Sequence, residues 1–435
     1  MFYDDIIFLV NKFIIDYRFL RKYVIMAEKT KIIVIIPDGM ADLRIESLGG
    51  RTPMEAAYKP CMDFLAENGI CGMVKTIPDG MIPESDTANL AILGYDPKIY
   101  SKGRAPLEAV SMGLSMREND TAFRCNLVTL SEESEAYEDK IIIDHSADEI
   151  TTDESDILIK ELDEKLGNEN IRFYTGISYR HCILWENCPE MCSFMQPHDI
   201  LTQKITEYLP DSKKFGEYFA IMKESYDILK DHPINKKRRE KNLKSANSIW
   251  LWSPGVKPKL PQFKDKYNLN GSVVAAVNLI KGIGICAGLD IIEVEGATGN
   301  FHTNYKNKGL AAIEEIKNGK DFVFVHIEAP DECGHRGEIE NKVKSIEKID
   351  DMVISPIYNY LNNSGMDYKI IILPDHSTPI SIRTHAGEPM PFLMYHSANK
   401  TKTSKINNFN EYSVKENSDI YIQNGYELLD YLLNL

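Results

Sequence analysis

Three short and strongly apolar segments constrain the fold of this 435-residue chain more than any other feature. They are residues 31–36, 322–327 and 369–373, and all three are rich in β-branched side chains or phenylalanine. Continuous apolar runs of this length are typical of strands that are buried on both faces of a parallel sheet. The sequence therefore predicts an α/β fold with a mostly parallel sheet at its centre.

A helix is predicted between the first of these strands and a further strand at residues 70–76. Thr52 and Glu55 have the spacing of a capping box, and Pro53 lies at the first helical position. The helix is expected to run to about Asn68, where a glycine follows. The resulting order of strand, helix and strand predicts parallel strands joined by a right-handed crossover.

The character of the sequence changes between about residues 121 and 245, where acidic loops and long polar helices alternate with short strands. This section is predicted to be a smaller α/β domain that is inserted into the first. After it, residues 247–252 are expected to form a strand. A helix containing residues 275–279 is expected to end at the glycines 282 and 284.

Composition excludes several classes of function. The net charge of −15 argues against nucleic-acid binding, which needs a basic face. No apolar run has the length of a membrane span, so no membrane partner is expected. Eight cysteines without framework spacing favour a reducing, cytoplasmic environment. Cys182, Cys188 and Cys192 are interpreted as free thiols rather than as part of a metal site, because no fourth ligand follows at a suitable spacing.

The N-terminal segment is predicted to be separate from the fold. Residues 1–25 are apolar but interrupted by charges, and they lack the order of basic and apolar regions that a signal peptide has. We hypothesise that Met26 is the true start and that the extension, residues 1–29 in our division, is not wholly native. The alternative is an amphipathic helix that docks on the surface.

Carboxylate and imidazole side chains follow the apolar strands, at the points where each strand ends. In an open parallel sheet these positions meet at one edge, so the side chains are expected to converge there. Such ligands suit Mn²⁺, Zn²⁺ or Mg²⁺, and two ions about 4 Å apart can hold both oxygens of a phosphoryl displacement. The candidate ligands are Asp38, Asp331, His335, Asp375, His376 and His385.

Ser85 is the candidate nucleophile. It lies in residues 82–94, after a predicted strand and at the start of a predicted helix, where backbone N–H groups favour a phosphate. A serine in this position can equally be an ordinary helix cap. A neighbouring metal ion would favour loss of the hydroxyl proton, as it does for bound water, and the serine could then attack phosphorus.

The chain resembles the cofactor-independent phosphoglycerate mutases of archaeal type, within the alkaline phosphatase superfamily. The resemblance covers essentially residues 30–435. It implies an alkaline-phosphatase-like core of residues 30–120 and 246–435, with a substrate-binding lid domain of residues 121–245. One departure is Ala105, where the family pattern has glycine. The segments that carry the resemblance are residues 36–42, 83–89, 103–109, 176–181, 232–235, 328–335, 374–379 and 384–389.

The resemblance implies interconversion of 3-phosphoglycerate and 2-phosphoglycerate in glycolysis and gluconeogenesis, without 2,3-bisphosphoglycerate. Ser85 would become phosphoserine. Two divalent ions are implied, with Mn²⁺ expected and Mg²⁺, Co²⁺ or Zn²⁺ as alternatives. One ion would be held by Asp38, Ser85, Asp375 and His376, and the other by Asp331, His335 and His385.

A mutase differs from a phosphatase in that it must hold glycerate and exclude water during transfer. Cationic groups on the inserted section would serve this purpose. The substrate-binding candidates are Arg180, His181, Arg104 and Asn235. Either Asp144 or His145 is a candidate for proton transfer to the substrate hydroxyls, and both can equally be hydrogen-bonded loop residues. Two alternatives stay open: a phosphatase or phosphopentomutase of the same superfamily acting on another phosphate monoester, and a metal-stabilised structural or regulatory protein without turnover.

Overall fold

The computed structural model describes residues 29–189, 194–398 and 404–435. Most of the predicted N-terminal extension, the candidate start Met26 and Cys192 lie outside these ranges. The strands are β1 (Lys31–Pro37), β2 (Ile70–Val74), β3 (Asp120–Leu130), β4 (Ile142–Asp144), β5 (Ile171–Ile177), β6 (Arg180–Glu186), β7 (Ser248–Val256), β8 (Gly271–Val274), β9 (Asp290–Ile292), β10 (Phe322–Ile327), β11 (Tyr368–Ile372), β12 (Met390–His396) and β13 (Tyr421–Ile422).

Helices of very different length connect these strands. The α-helices are Pro53–Ala56, Pro60–Glu67, Ser85–Ile92, Pro97–Tyr100, Ala105–Ser111, Thr152–Leu166, Ser212–Leu229, Pro233–Glu240, Phe263–Tyr267, Asn278–Cys286, Tyr305–Lys317, Ala329–Arg336, Ile339–Ile349, Ser355–Ser364, Glu411–Asn417 and Leu428–Leu433. Short 3₁₀ turns lie at Glu46–Leu48, Tyr137–Asp139, Pro197–Ile200, Ile205–Tyr208 and Gly425–Glu427, and a π-helical segment at Asp350–Ile354. No helix in the described ranges combines the length and the apolar character that crossing a membrane requires.

The described chain divides into two compact units. The first comprises residues 29–99, 261–280 and 287–435, and the second comprises residues 100–260 and 281–286, each without the ranges left undescribed.

The first unit is built on an eight-stranded sheet with the order β13-β2-β12-β11-β1-β10-β8-β9. Strands β11, β1, β10, β8 and β9 form a continuous parallel set, and β12 runs antiparallel to both β11 and β2. Every residue of β1, β10 and β11 is buried, which is what their apolar sequences predict. The α/β class and the mostly parallel core are confirmed.

Two details of the first unit differ from the sequence expectation. The predicted crossover does not join neighbours, because β11 and β12 lie between β1 and β2. The predicted helix from Pro53 to Asn68 is two helices, Pro53–Ala56 and Pro60–Glu67. Pro60 cannot donate a backbone hydrogen bond and disfavours helical geometry in the residue before it, so it ends one helix and begins another. The capping box at Thr52 is present as expected.

A third correction concerns the helix Asn278–Cys286. It begins later than predicted and continues through both glycines at 282 and 284 instead of ending there. At Gly282 an added Cβ would lie 2.0 Å from the carbonyl oxygen of Leu107. Glycine at this position therefore permits a close approach of two backbones and does not mark a helix end.

The second unit contains a smaller antiparallel sheet. Its longest strand, β3, pairs with β4, β6 and β7, while β5 pairs with β6. The buried core of this unit is aromatic, with Phe123, Trp185 and Tyr218 in mutual ring contact at centroid distances of 5.0 to 6.3 Å. Such a core gives the unit a hydrophobic centre of its own.

Candidate metal centre

The predicted metal ligands of the first unit meet at the carboxyl edge of the parallel strands. Asp38 follows β1 directly, and Asp375 and His376 come soon after β11. Asp331 lies in the helix Ala329–Arg336, which begins just after β10. These four residues are buried, and His376 and Asp375 have no exposed surface at all. The sheet topology thus places side chains from distant parts of the sequence within one small volume.

One ligand group consists of Asp331, His335 and His385. The Nε2 atom of His335 lies 3.0 Å from Nε2 of His385 and 3.3 Å from Oδ2 of Asp331. The Nε2 atom of His385 lies 3.4 Å from Oδ1 of Asp331. The Nδ1 atoms of both rings are 3.0 Å from backbone carbonyls, those of Arg383 and Pro83. With each Nδ1 proton donated to a carbonyl, the Nε2 atoms are left to bind a cation.

A second ligand group surrounds Asp38. The Nε2 atom of His376 lies 3.5 Å from Oδ1 of Asp38 and 3.6 Å from Oδ2 of Asp375. Asn89 donates from Nδ2 to Oδ2 of Asp375 over 2.8 Å, and the backbone N–H of Gly39 donates to Oδ1 of the same carboxylate. The Oδ1 atom of Asp38 is buried without a hydrogen-bond partner. An unpaired buried carboxylate oxygen is costly unless a cation compensates it.

The separations between these donor atoms fit divalent ions. Ligand atoms about 2.1 Å from one ion are about 3.0 Å apart in octahedral geometry and about 3.4 Å apart in tetrahedral geometry. The distances of 3.0 to 3.6 Å within the two groups span this range. Mixed carboxylate and imidazole donors also match the chemistry of Mn²⁺, Co²⁺ and Zn²⁺. The residues present therefore fit a divalent metal centre.

Ser85 lies beside the second group. It is the first residue of the helix Ser85–Ile92, and its Oγ lies 3.1 Å from Nε2 of His376. Asn89, one turn further along, donates to the carbonyl of Ser85 as well as to Asp375. The hydroxyl at the helix start and the side-chain amide one turn later thus lie at the same cluster. This arrangement suits a group that accepts and releases a phosphoryl unit.

The acidic residues of the centre differ in the direction of their pKa shifts. Burial, together with the charges of Asp375 and Asp331, raises the pKa of Asp38 well above its usual value. Burial also acts to raise the pKa of Asp331, but hydrogen bonds from His335 and His385 outweigh it and hold that pKa well below the usual value. In return, the hydrogen bond to Asp331 raises the pKa of His335 to about 9. So many acidic groups in one buried site require compensating positive charge.

Close packing around the centre fixes the ligands. Thr378 donates its hydroxyl proton to Oδ1 of Asp331, and it lies against Gly39. A Cβ at Gly39 would lie 2.5 Å from Oγ1 of Thr378 and 2.7 Å from Asp331, and the residue has a φ of +60°. Lys342, fully buried, donates to Asp42 and to the carbonyl of Thr378, each over 2.8 Å. These contacts hold the residues after β1 and after β11 together.

The second unit contains a cluster of arginines around one carboxylate. Arg104 and Arg124 contact the two oxygens of Glu108 at 3.2 and 3.0 Å. The guanidinium of Arg124 stacks 3.9 Å above the ring of Trp252. Burial and the neighbouring charges of Arg104 and Arg180 lower the pKa of Arg124 to about 10, against the opposing effect of Glu108. Three guanidinium groups near one carboxylate leave an excess of positive charge that can bind an anion.

Three of the other substrate-binding candidates are engaged in the internal structure of this unit. Asn235 is fully buried and bridges the backbone of Leu229 and Ala246. His181 is buried and accepts the backbone N–H of Gly176 at its Nδ1. Hydrogen bonds from Lys244 and Ser146 overcome the effect of burial and lower the pKa of Asp144 to about 2, which makes it a weak base.

His145 and Arg180 are more accessible. His145 is half-buried, and its ring contacts those of Tyr179 and His198 edge to face, at centroid distances of 5.6 and 5.9 Å. Arg180 is exposed at the start of β6. Ala105 is the first residue of the helix Ala105–Ser111, so its backbone is helical and does not require glycine.

Several residues of these sites were not singled out from the sequence. Asn89, Thr378 and Glu108 lie in segments that carry the family resemblance but were not proposed as site residues. His326 and Arg124 gave no signal that distinguishes them from structural polar residues. Asn89 could have been found from its helical spacing of four from Ser85. The groups of metal-binding geometry among the described residues contain no cysteine, and Cys182 and Cys188 are free thiols.

Comparisons with known proteins show what the chain as a whole is similar to. A family model described as 2,3-bisphosphoglycerate-independent phosphoglycerate mutase matches residues 66–235. The 2,3-bisphosphoglycerate-independent phosphoglycerate mutase of Methanosarcina barkeri is 48% identical over 390 residues, which are 89% of this chain and 96% of that protein. A solved protein of Pyrococcus horikoshii has a TM-score of 0.77 at 30% identity, covering 94% of this chain and 97% of that one. The cofactor-independent phosphoglycerate mutase of Thermoplasma acidophilum has a TM-score of 0.62 at 26% identity, covering 93% and 99%.

Proposed function

The chain belongs to the family of 2,3-bisphosphoglycerate-independent phosphoglycerate mutases and is an isomerase of that kind, and from this premise we propose how its residues carry out the reaction. Ser85 takes the phosphoryl group of 3-phosphoglycerate and becomes phosphoserine. The bound glycerate then takes the group back on its other hydroxyl, which gives 2-phosphoglycerate. Atoms and charge balance without 2,3-bisphosphoglycerate, because one phosphate monoester is exchanged for another.

The observation that carries this proposal is the position of Ser85. Its hydroxyl lies at a helix start and 3.1 Å from His376, within a cluster of buried carboxylates and imidazoles. The carboxylates of Asp38 and Asp375 lie in the same cluster, 3.5 and 3.6 Å from Nε2 of His376. The helix N-terminus offers N–H groups to the oxygens of the transferred phosphoryl group.

Two divalent ions, with Mn²⁺ as the proposed species, complete the site. Asp38, Ser85, Asp375 and His376 would hold one ion, while Asp331, His335 and His385 would hold the other. When bound, the ions supply positive charge that favours the deprotonated form of the Ser85 hydroxyl and balances the phosphoryl oxygens. Mg²⁺, Co²⁺ and Zn²⁺ also suit these donors, but imidazole nitrogen favours the transition metals.

The second unit is proposed to be the substrate-binding lid. Arg104, Arg124 and Arg180 are proposed to bind the carboxylate or phosphate of the substrate, since the cluster has more positive than negative charge. His145 is proposed to move the proton of the glycerate hydroxyl, because the carboxylate of Asp144 is a weak base bound to Lys244. Asn235 and His181 are proposed to support this domain from within. Binding of this kind would hold glycerate in place and keep water out between the two transfers.

The proposed reaction is a step of glycolysis and gluconeogenesis in the cytoplasm. A direct assay tests it: purified protein is incubated with 3-phosphoglycerate and Mn²⁺, without 2,3-bisphosphoglycerate, and 2-phosphoglycerate and free phosphate are followed together. Formation of 2-phosphoglycerate with little free phosphate supports the mutase. Free phosphate alone would instead indicate a phosphatase of the same superfamily.

The Ser85→Ala variant tests the phosphoserine. It is expected to lose the activity by at least about a thousandfold, because the nucleophile is gone, and to keep the melting temperature that wild-type protein has without divalent ions. Ser355→Ala provides a control at another helical serine of the first unit, which belongs to none of the ligand groups. Full activity in Ser85→Ala would rule out this mechanism.

A further inference from the structure

His326 is a buried histidine with no assigned task. It lies in β10, its side chain is 1% exposed, and neither ring nitrogen has a hydrogen-bond partner. A buried imidazole that leaves both nitrogens unpaired loses the hydrogen bonds that it would make in water, and this loss destabilises the folded state. Folded proteins rarely tolerate such an arrangement without a compensating ligand.

The surroundings of His326 indicate what that ligand is. Its Nε2 lies 3.2 Å from Oδ2 of Asp38, although the contact does not have the geometry of a hydrogen bond. His326, Asp38 and Asp375 each offer a ligand atom, and these atoms lie within 4.8 Å of one another. The Oδ1 atom of Asp38 is likewise buried and unpaired. Unpaired imidazole and carboxylate atoms therefore face the same small volume.

We propose that His326 is an additional imidazole ligand for the divalent ion held by Asp38 and Asp375. The inference deepens the proposed function and rests on its metal centre. The separation of 3.2 Å between Nε2 of His326 and Oδ2 of Asp38 lies between the ligand spacings of octahedral and tetrahedral ions. The backbone pairing of β1 with β10 places His326 beside Ile36, two residues before Asp38, so the sheet itself fixes this position.

A consequence concerns the choice of metal. With His326 added, each of the two ions has two imidazole ligands, because His376 serves the same ion as His326 while His335 and His385 serve the other. Imidazole favours Mn²⁺, Co²⁺ and Zn²⁺ over Mg²⁺, which prefers oxygen. Removing His326 is therefore expected to weaken Mn²⁺ binding at one site by at least tenfold and to reduce the preference for Mn²⁺ over Mg²⁺.

The test compares metal-free full-length protein as wild type, His326→Asn and His326→Gln. Calorimetric titration with Mn²⁺ and with Mg²⁺ gives the affinities, and near-ultraviolet circular dichroism of each variant checks its fold. The ring nitrogens are observed by NMR of protein with labelled histidine, before and after addition of Zn²⁺. His396→Asn is the matched control, since His396 is also a histidine of the same sheet but pairs with Asp367.

The expected result is a Zn²⁺-dependent shift of a ring nitrogen that is absent from both His326 variants, together with the tenfold loss of Mn²⁺ affinity. Unchanged nitrogen signals at His326 on addition of Zn²⁺ would overturn the proposal, even if the affinity falls, because the residue would then act only by packing against Asp38. Failure of the proposed function is distinguishable, since wild-type protein would then bind no divalent ion, or the Ser85→Ala variant would keep its activity.

Discussion

The imidazoles of His335 and His385 face each other through Nε2 atoms that are 3.0 Å apart. Each ring is held from behind by a backbone carbonyl at its Nδ1, and Asp331 contacts both Nε2 atoms. A shared proton can bridge two of these three side chains, whereas a divalent ion can accept electron pairs from all three at once. Because such an ion must displace protons from its ligands, metal binding and the stability of this edge of the sheet are coupled.

Removal of divalent ions is expected to lower the melting temperature, and addition of Mn²⁺ to restore it. An ion that binds only the folded state stabilises it by about 2.7 kcal/mol at a free concentration one hundred times its Kd. His385→Ala should reduce this gain, because it deletes one of three ligand atoms. His302→Ala, at an exposed histidine of the same unit, should leave it unchanged. Thermal unfolding with and without a chelator measures both, and a wild-type protein indifferent to every divalent ion would contradict the centre.

The convergence of the candidate ligands could be predicted from the sequence because one rule of topology determines where they lie. Asp38 and Asp375 each follow a buried parallel strand, and the carboxyl ends of such strands share an edge. This rule did not identify His326, because the residue lies inside its strand and not at the end of it. The sequence of the strand does not show which neighbouring residue the ring contacts. Its role depends on the register of β1 against β10, which the sequence does not determine.

The substrate-binding candidates illustrate a second limit. Asn235 and His181 lie in motifs that match the family, but the structure shows both side chains buried and hydrogen-bonded to backbone. A residue within such a motif can hold its domain together instead of contacting a ligand. Arg124 lies in the strand β3 and gave no pattern, since its importance comes from Glu108 and Trp252, which are distant in sequence.

The buried pair of Lys342 and Asp42 is expected to be essential for stability. Lys342 donates to Asp42, to the carbonyl of Thr378 and, over 3.3 Å, to the carbonyl of Ala41. Lys342→Met would leave a buried carboxylate without its partner, which typically costs about 3 to 5 kcal/mol. Urea unfolding should show this loss, and part of it should return in the double variant that adds Asp42→Asn.

Lys344 provides the control for that experiment. It lies on the same helix, Ile339–Ile349, but it is exposed. Its Nζ atom forms a loose ion pair with Glu340 at 3.7 Å. Exposed ion pairs contribute about 1 kcal/mol or less, so Lys344→Met is expected to change stability little. Equal effects of the two substitutions would show that the buried ion pair contributes no more to the free energy of unfolding than an exposed one does.

Glu411 is expected to make stability depend on pH. Burial raises its pKa from 4.5 to about 7, despite hydrogen bonds from the backbone of Asp42 and the hydroxyl of Thr52. Between these values the folded state holds more protons than the unfolded state, so this group's contribution to stability falls as the pH rises. Glu411→Gln does not titrate, so its free energy of unfolding lacks this decrease with pH. The free energy of unfolding of the variant minus that of wild type should therefore grow by at most about 3 kcal/mol from pH 5 to pH 8.

Denaturant unfolding of metal-free protein across this pH range measures the effect. Glu416 lies on the same helix, Glu411–Asn417, and is exposed. Glu416→Gln is therefore expected to follow the wild-type profile at every pH. A difference between Glu411→Gln and wild type that does not change with pH would show that Glu411 is ionised throughout.

Arg124 is expected to control substrate affinity without affecting the metal ions. Its guanidinium contacts Glu108 at 3.0 Å and stacks on the ring of Trp252 at 3.9 Å. A lysine at this position keeps the positive charge, but its ammonium group cannot make both contacts at once. In its proposed role this guanidinium donates a charged hydrogen bond to the substrate anion, and such a bond contributes about 1.5 to 3 kcal/mol. Arg124→Lys, which loses the stacked geometry, should therefore raise the KM for phosphoglycerate by about tenfold or more.

The comparison for Arg124 is Arg172→Lys in the same unit. Arg172 is exposed and pairs with Asp163 at the surface, so the same chemical change should leave KM within about twofold of wild type. The affinity for Mn²⁺, measured by calorimetry, should be equal in both variants, because neither arginine belongs to a ligand group. A rise in KM confined to Arg124→Lys, with Mn²⁺ binding intact, would assign the cluster around Glu108 to the substrate. If KM is unchanged, the stacked arginine holds the second unit together instead, and Arg180 becomes the first anion-binding residue to test.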